Sequence, residues 1–175
     1  GPAVLVMGGS QGAQSLNSLV VDAAKAMPGL QFIHITGAYD YERVKEIAGN
    51  REGYRVVNFC DDMATAYAAC DVAVCRSGAS SMTELAHVAI PSILVPYPHA
   101  ADNHQTVNAQ VFADAGAAVL RSEDELDAGQ LVADLTKIVE NGEYREAMSK
   151  QAASFAVRDA AAQICGVISA DLATE

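Results

Sequence analysis

A chain of 175 residues is the size of one domain, or of one lobe of a larger enzyme, and can bury roughly 70% of the surface its unfolded form exposes. Its 51% hydrophobic content excludes a disordered tail. With 11 Lys and Arg against 22 Asp and Glu, a net charge of −11, it has too few cations to bind a nucleic acid or to hold an anionic membrane surface directly.

Along the chain, apolar runs of strand length alternate with helical stretches. Ala3–Met7 (AVLVM) predicts a buried strand, followed by the turn Gly8-Gly9-Ser10-Gln11-Gly12. Residues 13–27 place Leu16, Leu19, Val20, Ala23 and Ala24 on one helical face, and Pro28-Gly29 ends that helix. A second strand (30–36) leads to a helix (39–48) that stops at Gly49-Asn50, and a third strand (54–58) leads to a short helix (61–70). Val72–Cys75 is the fourth strand, with a helix over 80–89 after it. Pro91 and Pro96 fence a fifth strand (92–95), before a helix (102–115) and a sixth strand (117–120). From Glu123 onward the pattern is helical, broken near Asn141-Gly142.

Strands that are apolar on both faces, each returning through a helix, predict an α/β fold: a doubly wound, parallel six-stranded, Rossmann-like sheet in one domain over 1–175. The helices after about residue 143 are alanine-rich, and Phe155, Val157, Ile164, Val167 and Ile168 are expected to need a surface outside this core. Cys60, Cys70, Cys75 and Cys165 lack CxxC spacing and read as small buried hydrophobes in a reducing compartment, without disulfides or zinc. The charge-free run 85–101 contains three prolines and is no transmembrane helix, and the first apolar run is too short for a signal peptide. Gly1-Pro2 reads as a cleavage scar left by trimming a longer chain.

Three loops carry candidate chemistry. The glycines after the first strand would let backbone amides approach an anion at a helix start, where the dipole supplies about +0.5 of a charge; otherwise they make a tight turn and Ser10 caps the helix. The loop is neither G-x-G-x-x-G nor GxxxxGK[ST], and the second strand ends Ile35-Thr36-Gly37 without a carboxylate, which argues against dinucleotide oxidoreduction and NTP hydrolysis. The second loop opens Arg76-Ser77-Gly78-Ala79, with Glu84 placed to accept a ribose diol; equally, Ser81-Met82-Thr83-Glu84 fits a capping box. In the third, 99–108, Gln105 and Asn108 share a helical face suited to sugar hydroxyls, and Asp102 or Asn103 suits an ordinary cap. Asp61-Asp62 is read as a helix start rather than a metal site, and His34 and His87 as packed or surface residues.

Taken together, Gly8-Gly9-Ser10-Gln11-Gly12-Ala13 with Leu16-Asn17, Phe59-Cys60-Asp61-Asp62-Met63 with Ala66-Tyr67, Cys75-Arg76-Ser77-Gly78-Ala79 with Glu84, Pro91 with Val95-Pro96, and Gln105 with Asn108-Ala109 resemble the MurG family of bacterial peptidoglycan glycosyltransferases. The resemblance runs in order from Val4 to about Leu120 and implies the C-terminal, nucleotide-sugar-binding lobe of a two-lobed GT-B enzyme. Such enzymes transfer GlcNAc from UDP-GlcNAc to undecaprenyl-linked lipid I with inversion, giving lipid II at the cytoplasmic face of the bacterial inner membrane. It assigns donor binding to Gly9, Ser10, Gln11, Cys60, Arg76, Ala79, Ser80, Ser81, Met82, Thr83, Glu84, Gln105 and Asn108, with Cys60 offering main chain to uracil and Glu84 taking the ribose hydroxyls. No catalytic residue, metal or cofactor is implied for this lobe. Lipid I and the membrane would be met through the other lobe, so the chain alone is expected to be soluble, to bind donor and to turn nothing over. Two alternatives remain at this point: a non-catalytic nucleotide-sugar-binding subunit recruiting a membrane-bound partner, and a UDP-GlcNAc 2-epimerase-like lobe, whose carboxylate and histidine pattern is not seen here.

Overall fold

A computed structural model describes residues 1–9 and 13–172. Among these, β1 (Ala3–Met7), β2 (Gln31–Ile35), β3 (Tyr54–Val57), β4 (Val72–Cys75), β5 (Ser92–Leu94) and β6 (Ala118–Leu120) pair in parallel in the order β3-β2-β1-β4-β5-β6. The helices are α1 (Gln14–Lys25), α2 (Tyr41–Ala48), α3 (Met63–Ala68), α4 (Ala79–Val88), α5 (His104–Asp114), α6 (Ala128–Glu140), α7 (Gly142–Ala153) and α8 (Ala160–Leu172), with one 3₁₀ turn at Ala101–Asn103. The six-stranded doubly wound sheet is the one the alternating apolar runs predict.

Alternation along each strand feeds two cores. Val4 and Val6 of β1 join Val72, Val74 and Ile93 beneath α1 and α6, packing on Leu16, Val20, Leu131, Leu135 and Ile138. Leu5 and Met7 turn the other way with Ala73, Cys75 and Leu94, beneath Tyr67, Leu85 and Phe112 of α3, α4 and α5. Each fully buried aliphatic side chain contributes about 1.5–3 kcal/mol of transfer free energy. Since α1 covers one face and α4 the other, the chain departs in opposite directions from β1 and from its neighbour β4. A crevice opens there, outside the carboxyl ends of the strands. Met7 is in register with both Ile35 and Cys75, and Ile35 with Val57, so four strands finish level along its edge.

Several local readings change. α4 starts at Ala79 with Gly78 as its N-cap, so Ser81 is already the third helical residue and the Ser81–Glu84 capping box does not form. Asp62 does cap α3, accepting from the Thr65 amide at 3.0 Å. Asn103 holds the N-cap position of α5, but its Oδ1 accepts from the Thr106 hydroxyl at 2.7 Å rather than from a backbone amide. Asn141 separates α6 from α7 by capping the Tyr144 amide.

The C-terminal helices divide. α7 belongs to this core, with Met148 and Ala152 buried, and Phe155 stacks on Phe112 with ring centroids 4.3 Å apart, so this chain itself covers Phe155. By contrast Val157, Ile164, Val167 and Ile168 are exposed. The cysteines are free: Cys75 is buried, Cys60 and Cys70 are half-buried, and Cys165 is exposed on α8, contrary to the reading of all four as core residues.

Candidate functional site

At the carboxyl edge lies a cavity of about 200 Å³, lined by Met7 at the end of β1 and Gly9 beyond it, Ile35 at the end of β2 and Gly37 beyond it, Asn58, Phe59 and Cys60 after β3, Met63 of α3, and Ser81 and Glu84 of α4. Its walls are mostly carbon: Met7, Ile35, Phe59 and Met63 form an apolar slot. Polar reach comes from the Asn58–Cys60 segment, from Ser81 and from one carboxylate, Glu84. Such a slot suits a flat, largely apolar ring, with hydrogen-bond donors of a ligand near the carboxylate. Gly9 and Gly37 have φ of +89° and +79°, conformations that a side chain would strain.

Two of the strands that edge this cavity, β1 and β4, are followed by helix starts, and the start of α4 lines it. Neither Ala13 before α1 nor Gly78 before α4 supplies a side-chain cap. The amides of Ala79, Ser80 and Ser81 belong to the first turn of α4 and have no acceptor within their own helix. Those donors, with the positive end of the dipole, are what an anion would meet.

The structure brings Gly9, Cys60, Ser81 and Glu84 together around one cavity, with Ala79 and Ser80 exposed beside it at the open helix start. Ser10 and Gln11 lie outside the described residues. Three expected contacts turn elsewhere. Met82 packs into the core, and the Thr83 hydroxyl donates to the Ala79 carbonyl at 3.0 Å. Arg76 is buried on the α1 side of the sheet, donating through Nη1 to the carbonyls of Val95 (3.1 Å) and Pro96 (3.0 Å) and pairing with Glu123.

Gln105 and Asn108 staple α5 to neighbouring loops. Gln105 Oε1 accepts from the Tyr97 amide at 3.0 Å, its carbonyl accepts from the Ser77 hydroxyl at 2.7 Å, and Asn108 Nδ2 donates to the Ser77 carbonyl at 3.1 Å. Asn108 thus holds the exit of β4, and Gln105 the loop after β5. Asp102 and Asn103, in the left-handed region with φ of 50° and 54°, shape its turn.

A buried network behind the cavity has no signature in the sequence. Asn17 Nδ2 donates to the Thr36 carbonyl (3.1 Å) and to Asp40 Oδ2 (2.8 Å), so its Oδ1 must accept, taking the His34 Nε2–H at 2.9 Å. His34 Nδ1 then accepts from the Tyr54 hydroxyl at 2.7 Å. Burial holds this imidazole down to a pKa of about 4, against the opposing pull of Asp40. Arg43 clamps Asp40 through Nε at 2.6 Å and Nη2 at 2.7 Å, and that hydrogen-bonded pairing holds the carboxyl below its usual range. The network ties α1 to the β2 loop, and so fixes one wall of the crevice. Tyr67 is a second residue whose role spacing does not show: its buried hydroxyl donates to Glu84 Oε2 at 2.7 Å.

A larger cavity, about 740 Å³, sits at the opposite edge, lined by residues such as Asp71, Pro91, Glu143 and Glu146. It lies at the amino ends of β4 and β5, and its three carboxylates outnumber its one cation, Arg145, so the smaller cavity at the carboxyl ends is the better site. Among the described residues no group of three or more His, Cys, Asp or Glu is placed to hold a metal ion, and no helix is long and apolar enough to cross a membrane.

Known proteins resemble this chain in sequence and fold. The chain is 43% identical over 177 residues to the UDP-N-acetylglucosamine–N-acetylmuramyl-(pentapeptide) pyrophosphoryl-undecaprenol N-acetylglucosamine transferase of Anaeromyxobacter sp. (strain K), covering 95% of this chain and 45% of that protein. The enzyme of the same name from Desulfotalea psychrophila is 43% identical over 173 residues, covering 95% and 47%. The chain thus spans about half the length of the curated relatives it matches. Acinetobacter baumannii MurG superposes with a TM-score of 0.84 at 28% identity, over 96% of this chain and 52% of that one. The family model described as the glycosyltransferase family 28 C-terminal domain matches residues 3–164, and the chain belongs to that family.

Proposed function

We propose that this chain is the donor-binding lobe of an inverting N-acetylglucosaminyltransferase that takes GlcNAc from UDP-GlcNAc and delivers it to undecaprenyl-diphospho-muramyl-pentapeptide. The observation that carries the reading is the position of Glu84: a carboxylate on the rim of a carbon-lined slot, one helix away from the Cys60 main chain and beside the open start of α4. In this reading uracil lies against Phe59 and Met63 and is read by the Cys60 backbone. Glu84 accepts the ribose hydroxyls, the first-turn amides of α4 and the glycine loop after β1 hold the diphosphate, and the Gln105–Asn108 face supports the sugar. The names of the Anaeromyxobacter and Desulfotalea relatives support the donor and acceptor named here.

Inverting transfer needs a base for the acceptor hydroxyl and stabilisation for the leaving group. As the acceptor oxygen bonds to the anomeric carbon, the bond to UDP breaks and the diphosphate gains negative charge. The amides of this lobe are placed to offset that charge, whereas the base and the lipid-linked acceptor belong to a second lobe, which also supplies contact with the cytoplasmic face of the membrane. Titration calorimetry with UDP tests the reading. Glu84→Ala is expected to weaken binding by about tenfold, the weight of a hydrogen-bonded pair to a charged group; unchanged affinity would remove Glu84 from the site. The 175-residue chain alone is expected to show no transfer to the lipid-linked acceptor.

A further inference from the structure

Tyr67 is only 4% exposed, and its hydroxyl has one strong partner, Glu84 Oε2 at 2.7 Å. The same oxygen lies 3.5 Å from Met7 Sδ, so the phenol sits where the end of β1, α3 and α4 meet. Glu84 is exposed and makes no other side-chain hydrogen bond among the described residues. A free surface glutamate samples several rotamers, and a ligand must freeze one of them at an entropic cost. Here a buried donor from a different helix has frozen it beforehand. A carboxylate offers about four lone-pair sites, so one bond from the phenol leaves capacity for both hydroxyls of a diol.

The geometry points to Tyr67 as a positioning residue for donor binding, its hydroxyl holding the Glu84 carboxylate in the rotamer presented to the ribose diol. This rests on the reading of Glu84 as the ribose acceptor. Burial, and after it the bond to Glu84, raises the phenol's pKa, so it stays a donor across the physiological range. Met7, the other atom within reach, is a weak acceptor, so Glu84 is what satisfies this hydroxyl.

The test compares UDP with 2′,3′-dideoxy-UDP, which lacks both hydroxyls, by calorimetry on the full chain. Wild type should prefer UDP, and Tyr67→Phe, which keeps the ring, should cut that preference by about three- to tenfold while leaving 2′,3′-dideoxy-UDP affinity within about twofold. Glu84→Ala should abolish the preference, and adding Tyr67→Phe to it should change nothing more, because the tyrosine acts through the glutamate. If Glu84→Ala abolishes the preference but Tyr67→Phe keeps it, the positioning role is wrong and the ribose reading stands. If Tyr67→Phe weakens both nucleotides equally, its role is merely structural and the proposal is overturned. If Glu84→Ala leaves the preference intact, the ribose reading fails and takes this proposal with it. A second measurement needs no substitution: the Tyr67 ring-carbon NMR resonance should move more on saturation with UDP than with 2′,3′-dideoxy-UDP, and equal shifts would contradict the role.

Discussion

Arg76 and Glu123 form an ion pair buried behind the first turn of α1, with Glu123 Oε1 also accepting from the Ser15 hydroxyl at 2.7 Å. The contact between the charged groups is ionic rather than an aligned hydrogen bond. Arg76 also carries the Val95 and Pro96 carbonyls and faces the Tyr97 ring at 5.6 Å, so one guanidinium joins α1, the exit of β5 and the segment after β6.

Removing the cation strands a largely buried carboxylate. Arg76→Ala should therefore lower the unfolding free energy by about 3 kcal/mol, read as a fall in the urea midpoint at unchanged slope. UDP affinity of the folded variant should stay within about threefold, since the guanidinium points away from the cavity. A tenfold loss of affinity at unchanged stability would instead mark Arg76 as a direct phosphate contact.

His34 sets a pH dependence. Its folded pKa of about 4 lies below the unfolded value near 6.5, so as the pH falls through that window the unfolded chain takes up a proton that the folded chain refuses. Stability is full above about pH 6.5 and is lost towards pH 4, by about 2 kcal/mol between pH 7.5 and 5. Urea titrations at the two pH values should show this loss in wild type, and His34→Gln should lack that part of it. Equal pH slopes in the two proteins would contradict the neutral state of the buried imidazole.

How much of this was legible in the sequence follows from the range of each interaction. β1 and β4 match their predicted bounds because an apolar run on both faces has one stable environment, the middle of a covered parallel sheet. The loop ends that build the cavity follow from the strand ends. The capping box failed because Ser-x-x-Glu matches wherever it falls, while Gly78 starts the helix three residues earlier. Tyr67–Glu84, Arg76–Glu123 and Asn17–His34 were out of reach because each joins residues that become neighbours only once the sheet has formed. Alanine-rich helices α7 and α8 looked alike by composition, and only packing separates them.

That separation has a measurable consequence. Met148 is 1% exposed against the α6 side of the core, so Met148→Ala should cost about 2–5 kcal/mol in the isolated chain. Ile164 on α8 is 60% exposed, and Ile164→Asn should change stability by no more than about 0.5 kcal/mol. Equal losses would mean that α8 packs on this domain after all.

Ala89 ends α4 in the left-handed conformation, with φ of 54°, where a glycine pays no Cβ penalty. Ala89→Gly should raise stability by about 1 kcal/mol, a rise in Tm of about 2–4 °C for a domain of this size. Its carbonyl, which accepts from the Ser149 hydroxyl at 2.6 Å, keeps that bond because no backbone atom need move. A lower Tm would show that the turn is not left-handed.

An amide-resolved NMR titration with UDP addresses the location of the donor site most directly. Resonances of Gly9, Asn58 to Cys60, Ala79 to Ser81 and Glu84 should move together and saturate at one affinity, while those around Asp71, Glu143 and Glu146 stay still. Shifts confined to the second group, with the carboxyl-edge amides unmoved, would place the nucleotide at the other end of the sheet.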